Sequence, residues 1–500
     1  MELVFPSFPI LLIFLLFLFM LLKIMKRSQT NDGTSNLPPG PWKLPLIGNL
    51  HQLVSAESLS HYRLRDLAKK YGPLMHLQLG EISVVVVSSP EFAEQVMKTH
   101  DAKFASRPHN EIVRIASYNY SDVAFSPCGD YWRKLRNLYR LELLSPKQVQ
   151  SFRSLREEEM SSLVNSIASK SGSVINLTDN FFTSTYGITA RAAFGGKCKD
   201  NQVLIPVATE TIRLMAGFYI ADMFPSIKFL QSISGTRSKL ERLHKELDRI
   251  LENIINEHKK SDKMEENKDL VDILLELQGR DDLQFCLTTE GIKATIFDIF
   301  VGGSDTVATT MDWAMSELIK NPGLMKRVQD EVREVFNRKG KVDETGINEM
   351  KFLKLVIKET LRLHPAGPFL LPRESIERCE IKSFNVPAKT RVLVNAWAIA
   401  RDPKYWSEPE IFKPERFLDL DIEYTGTNFK FIPFGAGRRM CPGTSYALAS
   451  VEIALAMLLY HFDWKLPNGM KHEDLDMTEA FGLTARRKDD LCLIPIPYHP

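Results

Sequence analysis

The chain has 500 residues, of which 44% are hydrophobic and 25% charged, and its formal net charge is +2. That is the composition of a globular protein, and a charge so near zero argues against wholesale nucleic-acid binding. The cysteines (Cys128, Cys198, Cys286, Cys379, Cys441, Cys492) are too scattered to form a disulfide framework, as expected for a chain folded in a reducing compartment.

Leu3 to Leu22 is uncharged and mostly Leu, Phe and Ile, about the ~20 residues needed to cross a bilayer. Lys23, Lys26 and Arg27 follow it, so residues 1–27 read as a single signal-anchor helix with the body on the cytosolic side. A cleaved signal peptide would carry its charge before a shorter apolar run. Residues 28–45 are a polar and proline-rich hinge, stiffened by Pro38-Pro39-Gly40-Pro41, and 46–500 form one catalytic unit without internal repeats.

The body is expected to be mainly α with a smaller β region. Leu74–Leu79 and Ile82–Val87 around Gly80-Glu81 predict a β-hairpin, and Ser89-Pro90 opens a helix to about Thr99. Residues 106–127 lack a clean period and read as a long loop with a short helix, the kind of segment that often carries function. Charged amphipathic runs predict helices over 146–169 and 236–258, and the polar run 258–269 predicts an exposed mobile loop. The longest helical candidate is 288–319: Thr288 or Thr289 caps it, Glu290 suits its first turn and Asn321-Pro322 stops it. Gly302 and Gly303 sit in its middle, where each costs ~1 kcal/mol relative to alanine, so they want a reason. A further apolar-periodic helix carries Glu359 and Arg362 and ends at His364-Pro365.

Near the C-terminus, Phe434-Gly435-Ala436-Gly437-Arg438-Arg439-Met440-Cys441-Pro442-Gly443 puts one cysteine into a loop rich in glycine and arginine, before the apolar run 444–460. Nearby guanidiniums and the free N–H groups of a helix start favour a thiolate there, and such an anionic sulfur suits the axial ligand of a haem iron. A zinc or redox site would need a second cysteine or histidine close by, and a phosphate loop would need a Lys-Ser/Thr pair; neither is present.

Phe434, Gly437, Arg439, Cys441 and Gly443 match the F-x-x-G-x-R-x-C-x-G signature, and the chain resembles the cytochrome P-450 family over about 40–500. The resemblance implies that fold, with a long central helix over a haem b, Cys441 as iron ligand, and Phe434 and Gly443 in the haem loop. It makes Trp132, Arg136 (W-x-x-x-R), Arg373 and Arg439 contacts to the haem, the arginines serving its propionates. Gly302-Gly303-Ser304-Asp305-Thr306 resembles the motif at which the central helix loosens into a groove for dioxygen, with Thr306 and Asp305 supplying protons. The family usually has Thr or Ser next, and here Val307 makes the groove floor less polar. Glu359 and Arg362, with Arg416 of Pro414-Glu415-Arg416-Phe417, resemble the family's buried structural cluster.

The hinge and the motif details are similar to plant microsomal (A-type) members, and within these to terpenoid oxygenases, most of all casbene-type diterpene oxidases. The resemblance places substrate against Ile112, Ile115, Phe218, Ile220, Phe297, Val301, Phe369, Leu370, Phe481 and Leu483, an apolar set suited to a hydrocarbon-like molecule. It implies a monooxygenase anchored in the endoplasmic reticulum bilayer and oxidising a diterpene by hydroxylation and further oxidation to a ketone. An unsaturated fatty acid, with Arg114 as the cation for its carboxylate, or a sesquiterpene are the alternatives. Electrons come from NADPH through a flavoprotein reductase, since the chain shows no flavin or nicotinamide site; Arg133, Lys134 and Arg438 are candidate docking cations. A reductase-independent haem-thiolate isomerase usually lacks the acid–alcohol pair that Asp305 and Thr306 supply.

Overall fold

The structure is a computed structural model and describes residues 36–53, 59–195, 201–216, 219–230, 235–260, 268–279, 287–480 and 482–499. The expected anchor, the first part of the hinge and most of the polar run 258–269 lie outside these residues. Among the described residues no helix is long and apolar enough to cross a membrane.

The architecture is mainly helical with small sheets. The expected hairpin is present: β1 (Leu74–Leu79) and β2 (Ile82–Val87) pair antiparallel, Leu79 opposite Ile82, and Gly80 at φ 60 turns the chain between them. Two later strands, β3 (Arg373–Glu374) and β4 (Arg391–Val394), complete a sheet of order β1-β2-β4-β3. The β2–β4 pairing is parallel, Val84 to Val87 against Arg391 to Val394, and it carries Arg373 to the cavity described below.

Local chemistry sets most helix bounds. Ser89 caps Pro90–Glu94, and the helix then widens into a π turn over Gln95–Thr99. Asn110 caps the short helix Glu111–Ala116 inside the long loop. The helix expected over 146–169 is two, Pro146–Ser151 and Arg153–Ala168, parted at Phe152, whose buried ring belongs to the core.

The central helix runs unbroken over Thr289–Lys320, with the Thr288 side chain accepting from the Gly291 N–H at 3.1 Å. It is apolar nearly all round because it is buried nearly all round. Its first half, with Ile292, Ile296 and Phe300, packs into a core with Tyr139, Leu247 and Leu251. Its second half, with Met311, Met315 and Leu318, packs against Val451, Leu455 and Leu458 of the helix Thr444–His461. This one element joins the two largest cores, and the functional site opens at the switch between them.

Candidate active site

The cysteine loop is held by its own backbone and by the helix beside it. Cys441 N–H donates to the Phe434 carbonyl at 2.9 Å, and Met440 N–H to Gly437 at 3.1 Å. Gly437 sits at φ 68, and a Cβ there would lie 2.0 Å from the Met97 carbonyl oxygen and 2.7 Å from Asp101 Oδ2. This glycine therefore serves close backbone packing rather than room for a ligand. The next N–H, of Arg438, donates to Asp101 Oδ2 at 2.7 Å. Cys441 keeps accessible surface on a cavity wall and is otherwise enclosed. Burial pushes its thiol up, against the pull of the Gly443 N–H, Arg136 and Thr444. A cation directly on the sulfur, as metal binding provides, adds to that pull and favours the thiolate.

The cavity has a volume of about 350 Å³, and Cys441, Phe434 and Gly443 form one wall. Arg107, Arg136, Arg373 and Arg439 stand around it with Trp132. Arg136 Nη2 donates to the Met440 carbonyl at 2.6 Å. Arg373 reaches the Ala436 carbonyl and Asp101 Oδ1, both at 2.8 Å. Arg439 donates to the carbonyls of Ala105 (2.6 Å), Val123 (3.2 Å) and Ser126 (2.6 Å), and its guanidinium lies 4.0 Å over the Trp132 ring. Carbonyls satisfy these N–H groups without neutralising the charge. Burial, with Arg373 and Arg136 nearby, lowers Arg439 to about 9, and burial with Arg439 and Arg373 lowers Arg107 well below the arginine range. So dense a set of buried cations, with Asp101 the one carboxylate ion-paired to it among the described residues, is costly unless an anionic group joins it.

The facing wall is the central helix. Gly302 is exposed to the cavity, and a Cβ there would meet nothing within 4 Å; at Gly303 a Cβ would lie 3.2 Å from Tyr446 Cε1. The helix is continuous through both glycines, and the absent side chain of Gly302 leaves room on this wall. The Thr306 hydroxyl donates to the Gly302 carbonyl at 2.8 Å. Asp305 is buried; its Oδ2 accepts from the Thr484 hydroxyl at 2.7 Å and its Oδ1 pairs with Arg486, which is partly exposed. Val307 adds apolar surface to the wall.

Of the expected substrate contacts, Phe297, Val301, Leu370 and Leu483 line this cavity. Phe369 lines an adjoining one of about 200 Å³ that shares Phe125, Met215, Leu370, Leu371 and Leu483 with it. Ile112 and Ile115 do not line either; they pack against Leu214, Leu240 and Leu243, because the capped helix turns that face to its neighbours. Ile220 is 66% exposed at the surface. Phe218 and Phe481 lie outside the described residues. Arg114 is committed to Glu111 at 2.7 and 2.8 Å and is absent from both linings. Glu359 and Arg362 are fully buried, and the Glu359 carboxylate accepts from Arg362 (2.7 and 2.9 Å), Arg416 (2.9 Å) and the Lys413 N–H (2.8 Å). The guanidinium Arg107, the pair Thr484 and Arg486, and Asp298 were not read from the sequence, because each meets its partners across a long stretch of chain.

These residues fit a haem. A sulfur, a ring-sized cavity and a surplus of buried cations at its edge match an iron, a flat apolar body and two carboxylates. The family model "Cytochrome P450" matches residues 38–493. Tabersonine 6,7-epoxidase isoform 1 of Catharanthus roseus is 53% identical over 479 residues, 94% of each chain. Premnaspirodiene oxygenase of Hyoscyamus muticus is 50% identical over 483 residues, 95% of this chain and 96% of that one. A zebra fish cytochrome P450 solved with abiraterone superposes with a TM-score of 0.76 at 26% identity, covering 88% of this chain and 99% of the other. The chain belongs to the cytochrome P450 family, oxidoreductases that work as monooxygenases with a haem on a cysteine thiolate and electrons drawn from NADPH through a reductase.

Proposed function

We propose that this enzyme inserts one oxygen atom from dioxygen into an apolar terpenoid, with a casbene-type diterpene as first candidate, by hydroxylation and further oxidation to a ketone. The observation that carries the reading is one cavity with segregated walls: sulfur and cations on one side, a hydroxyl–carboxylate pair opposite, and apolar side chains between. Cys441 holds the haem iron, Arg136, Arg373 and Arg439 hold its propionates, and Trp132, Phe434 and Gly443 shape its seat. When bound, the haem supplies oxygen activation, with the thiolate pushing electron density toward the iron. The Thr306 hydroxyl turns from the Gly302 carbonyl to present a proton to the cavity. Asp305 replenishes that proton from the side of Arg486, where the structure reaches solvent. Phe297, Val301, Leu370 and Leu483 exclude water and leave an olefinic hydrocarbon free of polar anchors.

Relatives named for a premnaspirodiene oxygenase and a tabersonine epoxidase support an olefin-bearing terpenoid or alkaloid. An alkaloid is the second reading, supported by the relatives named for tabersonine. A fatty acid is disfavoured, since Arg114 is already paired. We place the protein in the endoplasmic reticulum membrane through residues 1–27, its reductase docking on the face of Arg133, Lys134 and Arg438. The test uses microsomes holding the full chain with casbene, premnaspirodiene, tabersonine and linoleate. NADPH and dioxygen consumption is expected only with reductase and a terpenoid together. Turnover without NADPH would overturn the monooxygenase reading, and oxidation of linoleate alone would overturn the substrate class.

A further inference from the structure

Two stretches outside the helices supply apolar wall to both cavities. Residues 366–371, which follow the helix Lys351–Leu363, contribute Leu370 and Leu371, and the turn after Glu479 contributes Leu483. A backbone bond joins them, Ala485 N–H donating to the Ala366 carbonyl at 2.9 Å. Trp313 of the central helix fastens the turn from another side, its Nε1–H donating to the Ala485 carbonyl at 2.7 Å. His364 stands at the start of the first stretch and Glu479 at the start of the second, and the two side chains face each other in the interior. What sets the distance between them therefore acts on how the two pieces of wall stand to one another.

His364 Nε2 lies 2.7 Å from Glu317 Oε1. An ionised carboxylate only accepts, so Nε2 carries the proton, and in the neutral ring Nδ1 is a bare lone pair. That Nδ1 is enclosed and has no hydrogen-bond partner among the described residues. What faces it is Glu479 Oε1 at 4.0 Å, a second acceptor, beyond hydrogen-bond reach. Glu479 is otherwise firmly held: its Oε2 accepts from His61 Nε2–H at 2.6 Å and its Oε1 from Trp397 Nε1–H at 3.2 Å. The His364 ring lies flat on Trp313, centroids 3.9 Å apart and planes 4° apart, which fixes the direction in which Nδ1 points. A proton on Nδ1 turns these two facing acceptors into a donor and an acceptor.

We propose that His364 and Glu479 are positioning residues that form a proton-dependent joint between the two wall segments: with a proton on Nδ1 they bond and draw residues 366–371 and the turn at Leu483 together, and without it they part and the pocket widens. Neither residue lines either cavity, so the joint acts on substrate selection without touching substrate. The separation of 4.0 Å is the parted form. Glu317 and Trp313 face His364 from the central helix, and Glu479 faces it from the turn. Around Glu479 stand His61 and Tyr62 of the helix Ser60–Tyr71, Trp397 of the helix Ala396–Ile399, and Arg401, whose guanidinium lies 4.0 Å over the Trp397 ring. Burial pushes the Glu479 carboxyl up, but the bond from His61 and the charges of His61, Arg401 and His364 outweigh it and hold the carboxyl below its ordinary value. Glu479 thus stays ionised across the range in which an imidazole ordinarily exchanges its proton, about pH 5.5 to 7.5. Acid closes the joint and base opens it.

The effect on substrate rests on reading the cavity as the oxygenase pocket, the joint itself does not, and the test separates the two. Full-length haem-loaded wild type, His364→Phe and Glu479→Gln are compared at about pH 5.5 and about pH 8, on either side of the ordinary histidine value. Hydrogen–deuterium exchange over residues 482–487, corrected for the intrinsic effect of pH on exchange, reads the turn, and spectral titration with phenylimidazole reads the pocket. Wild-type protection is expected to fall about tenfold from the lower to the higher pH, the loss of one charged hydrogen bond. His364→Phe keeps a ring on Trp313 but no nitrogen, so its turn should be weakly protected at both pH values. Glu479→Gln places an amide donor opposite the bare Nδ1, so its turn should be well protected at both, although the Trp397 bond is lost. A merely structural role would lower protection in both variants alike. Glu479→Gln decides the question if the phenylalanine variant does not load haem. Wild-type protection that ignores pH, a phenylalanine variant that keeps the wild-type pH response, or a glutamine variant less protected than wild type at the higher pH overturns the joint. The ratio of wild-type to Glu479→Gln affinity for phenylimidazole, in which the azole's own titration cancels, should change several-fold between the two pH values, and a constant ratio overturns the joint's effect on the pocket. A wild type that shows no azole shift overturns the haem-thiolate reading instead, and the exchange data still judge the joint.

Discussion

Thr306 shows how a side chain with a bland role can carry a reaction. Its hydroxyl closes a bond to the Gly302 carbonyl four residues back, as threonines in helices commonly do. The same hydroxyl borders the cavity, so a rotation exchanges a local bond for a proton donated inward. Replacing Thr306 by alanine is expected to lower product formation about 10²-fold, the typical worth of a positioned proton donor. NADPH oxidation should continue with hydrogen peroxide as its outlet, and Thr306→Ser should restore most of the product. The ratio of product to NADPH consumed checks this, and an unchanged ratio in the alanine variant contradicts it. Motif residues such as Thr306, Cys441 and Glu359 were legible because their chemistry lies within a few positions of sequence. Arg486 and Thr484 were not, since what defines them is a carboxylate 179 positions away from Thr484.

The central helix sets a sharper contrast between its two glycines. An alanine Cβ at 302 would enter open cavity, whereas at 303 it would press on the Tyr446 ring. Gly302→Ala should therefore gain about 1 kcal/mol of helix stability while weakening substrate binding by narrowing the groove. Gly303→Ala should lose most of that gain to the displaced ring. Thermal denaturation of the two variants, with a binding titration, reads both effects; equal stabilisation would contradict the packing described. The bounds of this helix were readable from Thr288 and Asn321-Pro322 because caps and stops are local. The break at Phe152 was not, since helical periodicity runs through it and the ring's tertiary contacts decide it. Ile112 and Ile115 misled for a related reason: the sequence shows that a helix has an apolar face, not which neighbour that face meets.

At the scale of the molecule, stability and haem binding meet in the helix behind the cysteine. Glu452 lies on it, and burial, with Glu344 nearby, raises its carboxyl from 4.5 to about 7. Between those values the folded protein binds more protons than the unfolded chain, so this group makes stability fall as pH rises through the window. Glu452→Gln should accordingly be more stable than wild type near about pH 8, with the difference shrinking toward about pH 5. Thermal midpoints at the two pH values decide it, and a constant difference would contradict the assignment. The fold as a whole, and with it the cations Arg136, Arg373 and Arg439, was legible because four separate motifs kept one order along the chain; the role of Arg107 and the loop carbonyls these guanidiniums hold were not, because those contacts exist only once the sheet and the helices bring Arg107, Arg373 and Arg439 together. The central claim is that Cys441 carries the haem iron as a thiolate. Its most direct test is the reduced-CO spectrum of the full-length protein and of Cys441→Ser: the wild type should show the red-shifted band characteristic of thiolate ligation and the serine variant should lack it, whereas a band that survives the substitution would contradict the account.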